Sequence, residues 1–185
     1  MTIRTLVVEG TILAVEQQAA QPLPEAFHEI VEFGILASQR DPFDPMENAF
    51  HDLGNDRLAQ TEHLHAGWTL EWGYPLSPSL LAMSHVWKSP TSQDYVLAAK
   101  GAPEAIADLC HLTPDRTQHV GEQVAAMAGE GLRVLGVARG VFQPGDLPSE
   151  QHDLTFEFLG LVGLADPVRP TRPRNSNVRS CRERV

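Results

Sequence analysis

Two cations beside glycines are the residues of this chain best suited to chemistry. Lys100 stands in the run YVLAAKGAPEAIADL, residues 95–109. The apolar stretch before it predicts a strand that carries an ammonium at its end. Gly101 and Ala102 bear little or no side chain, so a flat ligand can approach the backbone closely. Pro103 suits the first turn of a helix, and Glu104 suits its positive end. The pattern fits a flat, anionic ligand, and it equally fits a strand-turn-helix junction with a solvated lysine. Arg133 opens a second strand just after Gly129-Glu130-Gly131. It reads either as a solvated strand end or as a second cation facing a polyphosphate. Two such cations can hold an anion between them through charge-assisted bonds.

Other chemistries find little support. Eight histidines invite a metal. His63 and His65, however, stand two apart without a third partner at ligand spacing, and His28-Glu29 lacks the second histidine of HExxH. Cys110-His111 reads as a helix end, since nothing places an orienting carboxylate beside it. No GxSxG or Walker A sequence occurs, and Gly129-Glu130-Gly131 is too short for a dinucleotide fingerprint. Bound phosphates would therefore meet isolated basic side chains and not a glycine cradle.

The elements that must position these residues follow from periodicity and punctuation. Residues 2–8 and 11–16 read as a hairpin about Glu9-Gly10. Pro24 opens a helical pattern through Phe27, Ile30, Val31, Ile35 and Leu36. Asp44 is a natural N-cap, Pro45 suits the first helical position, and Glu47 completes a capping-box spacing. That helix is expected to reach about residue 53, with further helix near 56–65. Strands are expected at 68–72, 80–87, 95–99, 133–141 and 154–164. Helices are expected at 103–111 and 114–129, the latter with an apolar face of Val120, Val124, Ala125, Met127 and Ala128. Hairpin-like neighbours predict an α+β domain, a mainly antiparallel sheet flanked by helices.

Composition narrows the function. The 185 residues carry a net charge of −10, enough chain for one compact domain. Residues 1–168 hold 8 basic and 23 acidic side chains, whereas 169–185 hold six arginines and one glutamate. The body is a poor nucleic-acid surface, because phosphate binding is led by Lys and Arg. It contains two lysines, Lys88 and Lys100. Two cysteines argue against a disulfide framework. No apolar run reaches about 18 residues, so no membrane-spanning helix is expected, and no secretory signal is read. The domain is assigned to 1–168. The Arg-rich segment 169–185 is expected to be disordered, as its composition cannot build a core.

Taken together, KGAPEAI at 100–106, GLRVLGVARG at 131–140 and GLADPVRP at 163–170 resemble the P-type cation-transporting ATPases. The resemblance is to their nucleotide-binding domain, in the calcium-pump-like branch, over about residues 1–170. MTIRTLVVEG resembles the strand after that family's phosphorylation motif DKTGTLT, which is absent here. The resemblance implies an adenine-nucleotide pocket. Lys100 and Gly101 match residues lining it, Arg133 the arginine near the phosphates, and Leu135 an apolar wall. In DPFDPMENAF, Glu47 matches the acidic residue that bonds the adenine amino group, with Asp44 at an acidic position on the same segment. Met83 matches the methionine of a KxMS-type strand. One stretch departs. Where family members carry a pattern like YPFSSERKRMS, this chain has YPLSPSLLAMS. Leu76 replaces the adenine-stacking aromatic, Pro78 an arginine-type position and Leu81 a lysine.

What the resemblance implies for function is an ATP-binding module on the cytoplasmic side of a membrane pump. It would position ATP for phosphoryl transfer to an aspartate in a separate domain. Mg2+ is expected in the whole pump and not on this chain alone. The expected partners are ATP and the phosphorylation domain, actuator domain and membrane helices of a parent pump. No nucleic acid is expected, and the isolated domain is expected to be a monomer that does not turn over ATP. The alternative is a stand-alone or degenerate interaction domain with little affinity for ATP.

Overall fold

A computed structural model describes residues 1–18 and 21–166. Strand β1 (Thr2–Val8) turns at Glu9 and Gly10, both at positive φ, into β2 (Thr11–Ala14). A short 3-10 turn at Glu25–Phe27 leads into α1 (His28–Leu36), and α2 (Pro45–Arg57) follows. Strands β3 (Thr69–Tyr74), β4 (Ala82–Lys88) and β5 (Tyr95–Gly101) form a meander. Helices α3 (Pro103–Leu109) and α4 (Pro114–Gly129) precede β6 (Arg133–Phe142) and β7 (Glu157–Ala165). The seven strands form one sheet in the order β2-β1-β7-β6-β5-β4-β3, and every neighbouring pair is antiparallel. The fold is the α+β arrangement expected from the sequence.

Helices cover both faces of the sheet, and the alternation of each strand decides which face a side chain serves. On β5, Ala98 joins the core beneath α1 and α2, together with Ile30, Val31 and Phe50. Its neighbours Leu97 and Ala99 point the other way, into the core beneath α3 with Ile106 and Leu109. Helix α4 closes a smaller cluster through Val120 and Met127 against Val7 and Leu161.

Four local expectations are corrected. First, α2 runs unbroken to Arg57. A Cβ on Gly54 would lie 2.3 Å from Ile35 Cδ1, and one on Gly34 would lie 2.2 Å from Phe50 Cε1. These glycines let α1 and α2 approach closely, so Gly54 serves packing and does not end the helix. Second, residues 58–68 are turns and not helix. They are tied to α1 by the buried carboxylate of Glu32, which meets His63 Nδ1 at 2.5 Å and His65 Nε2 at 2.6 Å. Third, Ala125 and Ala128 of α4 are exposed, because α4 turns Val120, Val124 and Met127 toward the sheet. Fourth, β5 continues through Lys100 and Gly101, since both pair with β4 and β6. The Arg-rich segment 169–185, and Cys181 within it, lies outside the described residues.

Candidate functional site

Register places the candidate residues before any contact is considered. Met83 pairs with Lys100, and Lys100 pairs with Val137. Directly paired residues share a sheet face, as do residues two apart on one strand. Met83, Lys100, Leu135 and Arg133 therefore all lie on the α1/α2 face. Because β5 and β6 are antiparallel, the end of one and the start of the other meet at the same end of the sheet. There the first turn of α2 supplies Asp44, Met46 and Glu47. The result is one open cavity of about 460 Å³, lined also by Leu76, Leu81, Ala102, Pro103, Glu104 and Val134. Glu47, Leu76, Met83, Lys100, Gly101, Arg133 and Leu135, each read from the sequence, all line it.

Lys100 is not the solvated lysine of the simpler reading. It is 5% exposed, Glu47 is 8% exposed, and their charged groups meet at 2.9 Å. The ammonium also donates to Ser38 Oγ at 2.5 Å and lies 5.4 Å from the centre of the Phe50 ring. Ser38 in turn donates to Gly34 O at 2.8 Å. Burial pushes the Lys100 pKa down from its ordinary value, while the hydrogen bond and charge of Glu47 oppose that. Behind this pair, His85 donates from Nδ1 to Leu36 O at 2.9 Å, and Trp87 Nε1 donates to the same carbonyl at 2.8 Å. Burial lowers the His85 pKa, so the imidazole is held neutral, with Nδ1 carrying the proton.

The capping box divides its roles. Asp44 Oδ1 accepts from Met46 N at 2.7 Å, as an N-cap should. Glu47 does not reach back to the Asp44 amide; its carboxylate is taken by Lys100, a partner brought from 53 residues away. Gly101 also proves to be required by the sheet. A Cβ there would fall 2.3 Å from Leu81 O and 2.5 Å from Ala82 Cα. The glycine thus lets β4 close on β5, and Ala102 N then donates to Leu81 O at 2.8 Å. Ligand approach is not needed to explain it.

Arg133 is exposed and has no ion-pair partner among the described residues. Lys100 and Arg133 therefore do not form an open pair of cations: one is buried and matched, the other free at the mouth. The lining side chains carry three acids (Asp44, Glu47, Glu104) against two bases (Lys100, Arg133). Leu76 and Leu81 stand at the rim, 57% and 56% exposed. Sequence reasoning missed Ser38, Phe50 and His85. Phe50 carried a signal, three residues after Glu47 on one helix face; Ser38 and His85 carried none.

Burial pushes the Cys110 thiol up to about 12, and the residue caps α3. Among the described residues no group of three His, Cys, Asp or Glu is placed to hold a metal ion. No helix of the described residues is long and apolar enough to cross a membrane.

Fold and cavity define an α+β domain that presents a ligand-sized hollow at one end of an antiparallel sheet, without a nucleophile-base pair in it. Residues 43–171 match the family described as P-type ATPase, cytoplasmic domain N, and the chain belongs to that family. It is 34% identical over 107 residues to a sodium/potassium exporting P-type ATPase of Schizosaccharomyces pombe, covering 52% of this chain and 10% of that protein. It is 32% identical over 111 residues to a calcium-transporting ATPase of Dictyostelium discoideum, covering 54% of this chain and 10% of that protein. With a calcium-transporting ATPase of Yarrowia lipolytica it shares 31% identity over 113 residues, 54% of this chain and 12% of the relative. The chain spans about a tenth of the length of the relatives it matches.

Proposed function

We propose that the cavity holds ATP and that the chain serves as the nucleotide-positioning domain of a cation pump. The observation that carries this reading is that the seven residues implied by the family resemblance, spread over five segments of the chain, line one hollow. A volume of about 460 Å³ falls in the ordinary range of small-molecule sites, roughly 300–1,000 Å³. Glu47 would accept from the adenine amino group through whatever acceptor capacity Lys100 leaves free. Met83, Leu135 and Leu76 would wall the base, Lys100 and Gly101 would form its floor, and Arg133 would meet the phosphates. The contribution of such a site is orientation: it fixes the triphosphate for in-line transfer to an aspartate elsewhere. Mg2+ belongs with the phosphates of the whole pump.

Family membership supports the partners in this reading, namely the phosphorylation domain, actuator domain and membrane helices of a pump whose cytoplasmic side this domain occupies. The domain boundary at 168, a monomeric state and lack of ATP turnover by the isolated chain belong to the same proposal. So does the calcium-pump-like branch, since relatives named for sodium/potassium and for calcium match over similar lengths. The departure at Leu76 and Leu81 and the acidic lining together support weak binding. Titrating the chain with ATP while following amide shifts tests this: saturable shifts clustered on the cavity residues are expected, and micromolar or tighter binding contradicts the weak affinity. ATP turnover that survives further purification would contradict the positioning role.

A second reading is an interaction domain that has lost ATP. The half-exposed Leu76 and Leu81 are the observation in its favour. Nucleotide binding unchanged by Lys100→Ala would support it.

A further inference from the structure

Phe43 is 98% exposed, a ring in solvent with almost nothing against it. Its place in the chain makes this unusual. It directly precedes Asp44, the N-cap of α2. An apolar residue there ordinarily packs on the fourth residue of the helix. That residue is Asn48, polar and exposed, so the contact is not made. Packing therefore does not account for the side chain.

Phe43 does not itself line the cavity, but the residues that follow it do. Asp44, the next residue, lines the cavity, as do Met46 and Glu47 from the turn that Phe43 introduces. The rim also carries Leu76 and Leu81, and none of the lining residues is aromatic. A purine resting on that aliphatic wall still offers a π-face to an aromatic partner. Pro42 and Pro45 flank Phe43 and Asp44. Each proline fixes its own φ and holds the preceding residue extended; Asp44 is extended, at φ −76° and ψ 129°. The residues on either side of Phe43 are thus restrained before any ligand arrives, which lowers the backbone freedom lost when the ring covers one.

We propose that Phe43 is the aromatic side chain that covers the base of an adenine nucleotide in this cavity, taking the place of the aromatic absent at position 76. The proposal rests on the ATP reading above. It is tested on the whole chain by titrating wild type, F43A and F43W with ATP and with inorganic tripolyphosphate. Amide and aromatic proton shifts report binding. Base-aromatic stacking predicts that F43A weakens ATP binding by about tenfold. Tripolyphosphate binding should stay within about twofold, F43W should bind ATP like wild type, and the Phe43 ring protons should shift upfield with ATP. Wild-type ATP affinity in F43A overturns the proposal and leaves the ATP reading standing. Equal weakening toward ATP and tripolyphosphate overturns stacking as the role. Absence of saturable ATP binding by the wild-type chain overturns the ATP reading itself. The exposure of Phe43 predicts an unchanged melting temperature for F43A, which separates a binding effect from loss of fold.

Discussion

Replacing Lys100 by methionine probes the centre of this domain. Methionine is unbranched and apolar, and it can follow the path of the lysine stem. The substitution removes a charge that meets Glu47 at 2.9 Å, where the gross attraction at an effective dielectric of 20 is about 6 kcal/mol. Most of that is offset by desolvation of the two groups, whose side chains are 6% and 10% exposed. The single variant does not recover the offset, because Glu47 stays buried without its partner. K100M should therefore lose about 3–5 kcal/mol, the usual cost of stranding one member of a buried pair. In a domain of this size that lowers the melting temperature by roughly 6–20 °C. E47Q should also destabilise, since its amide oxygen can still accept from the ammonium but no longer neutralises it, leaving a buried charge with Ser38 Oγ and the Phe50 ring as its other partners. The double variant K100M/E47Q contains no stranded charge. It should be less destabilised than the sum of the singles by about 2–3 kcal/mol. Urea unfolding of the four proteins measures the cycle. Single effects that add to within about 0.5 kcal/mol would refute the coupling.

Three more outcomes follow from the geometry. G101A should cost about 1–3 kcal/mol, because its Cβ would meet Leu81 O at 2.3 Å and β4 must move; unfolding midpoints check this. His85 has a lowered folded-state pKa, so the unfolded chain takes up a proton that the folded chain refuses. That contribution to stability is present at neutral pH. It is lost as pH falls below about 6.5, the ordinary histidine value. H85N keeps a donor for Leu36 O but does not titrate, and its melting temperature should fall less than wild type between pH 7.5 and 5. Finally, D44N keeps the cap on α2 while removing one of three acids from the cavity. ATP should bind about 2- to 5-fold tighter at low salt, with the gain shrinking as salt is added.

Much of the site was legible because it lies on segments that are locally regular. Asp44-Pro45 is an N-cap followed by an ideal first residue, and the helix began there. The Tyr95–Ala99 strand and the Pro103 helix start also appeared where expected. Failures came where a distant partner overrode a local preference. The helical pattern at 56–65 gave way because Glu32, some thirty residues earlier, takes His63 and His65 into turns. The helix was expected to reach about residue 53, and the reason it tolerates Gly54 and runs on, close packing on the Ile35 side chain, sits on another helix.

For this protein the amino-acid sequence by itself determined the α+β class, the family and the residue types at the candidate site. These depend on periodicity, capping and short motifs, which are properties of neighbours along the chain. Only the tertiary structure decided what those residues do for one another. It turned Lys100 from an exposed cation into half of a buried pair, and it left Arg133 as the exposed cation of the cavity. It also made Gly101 a condition of strand closure. The physical reason is that burial and pairing depend on side chains tens of residues away, and spacing along the chain carries no record of them.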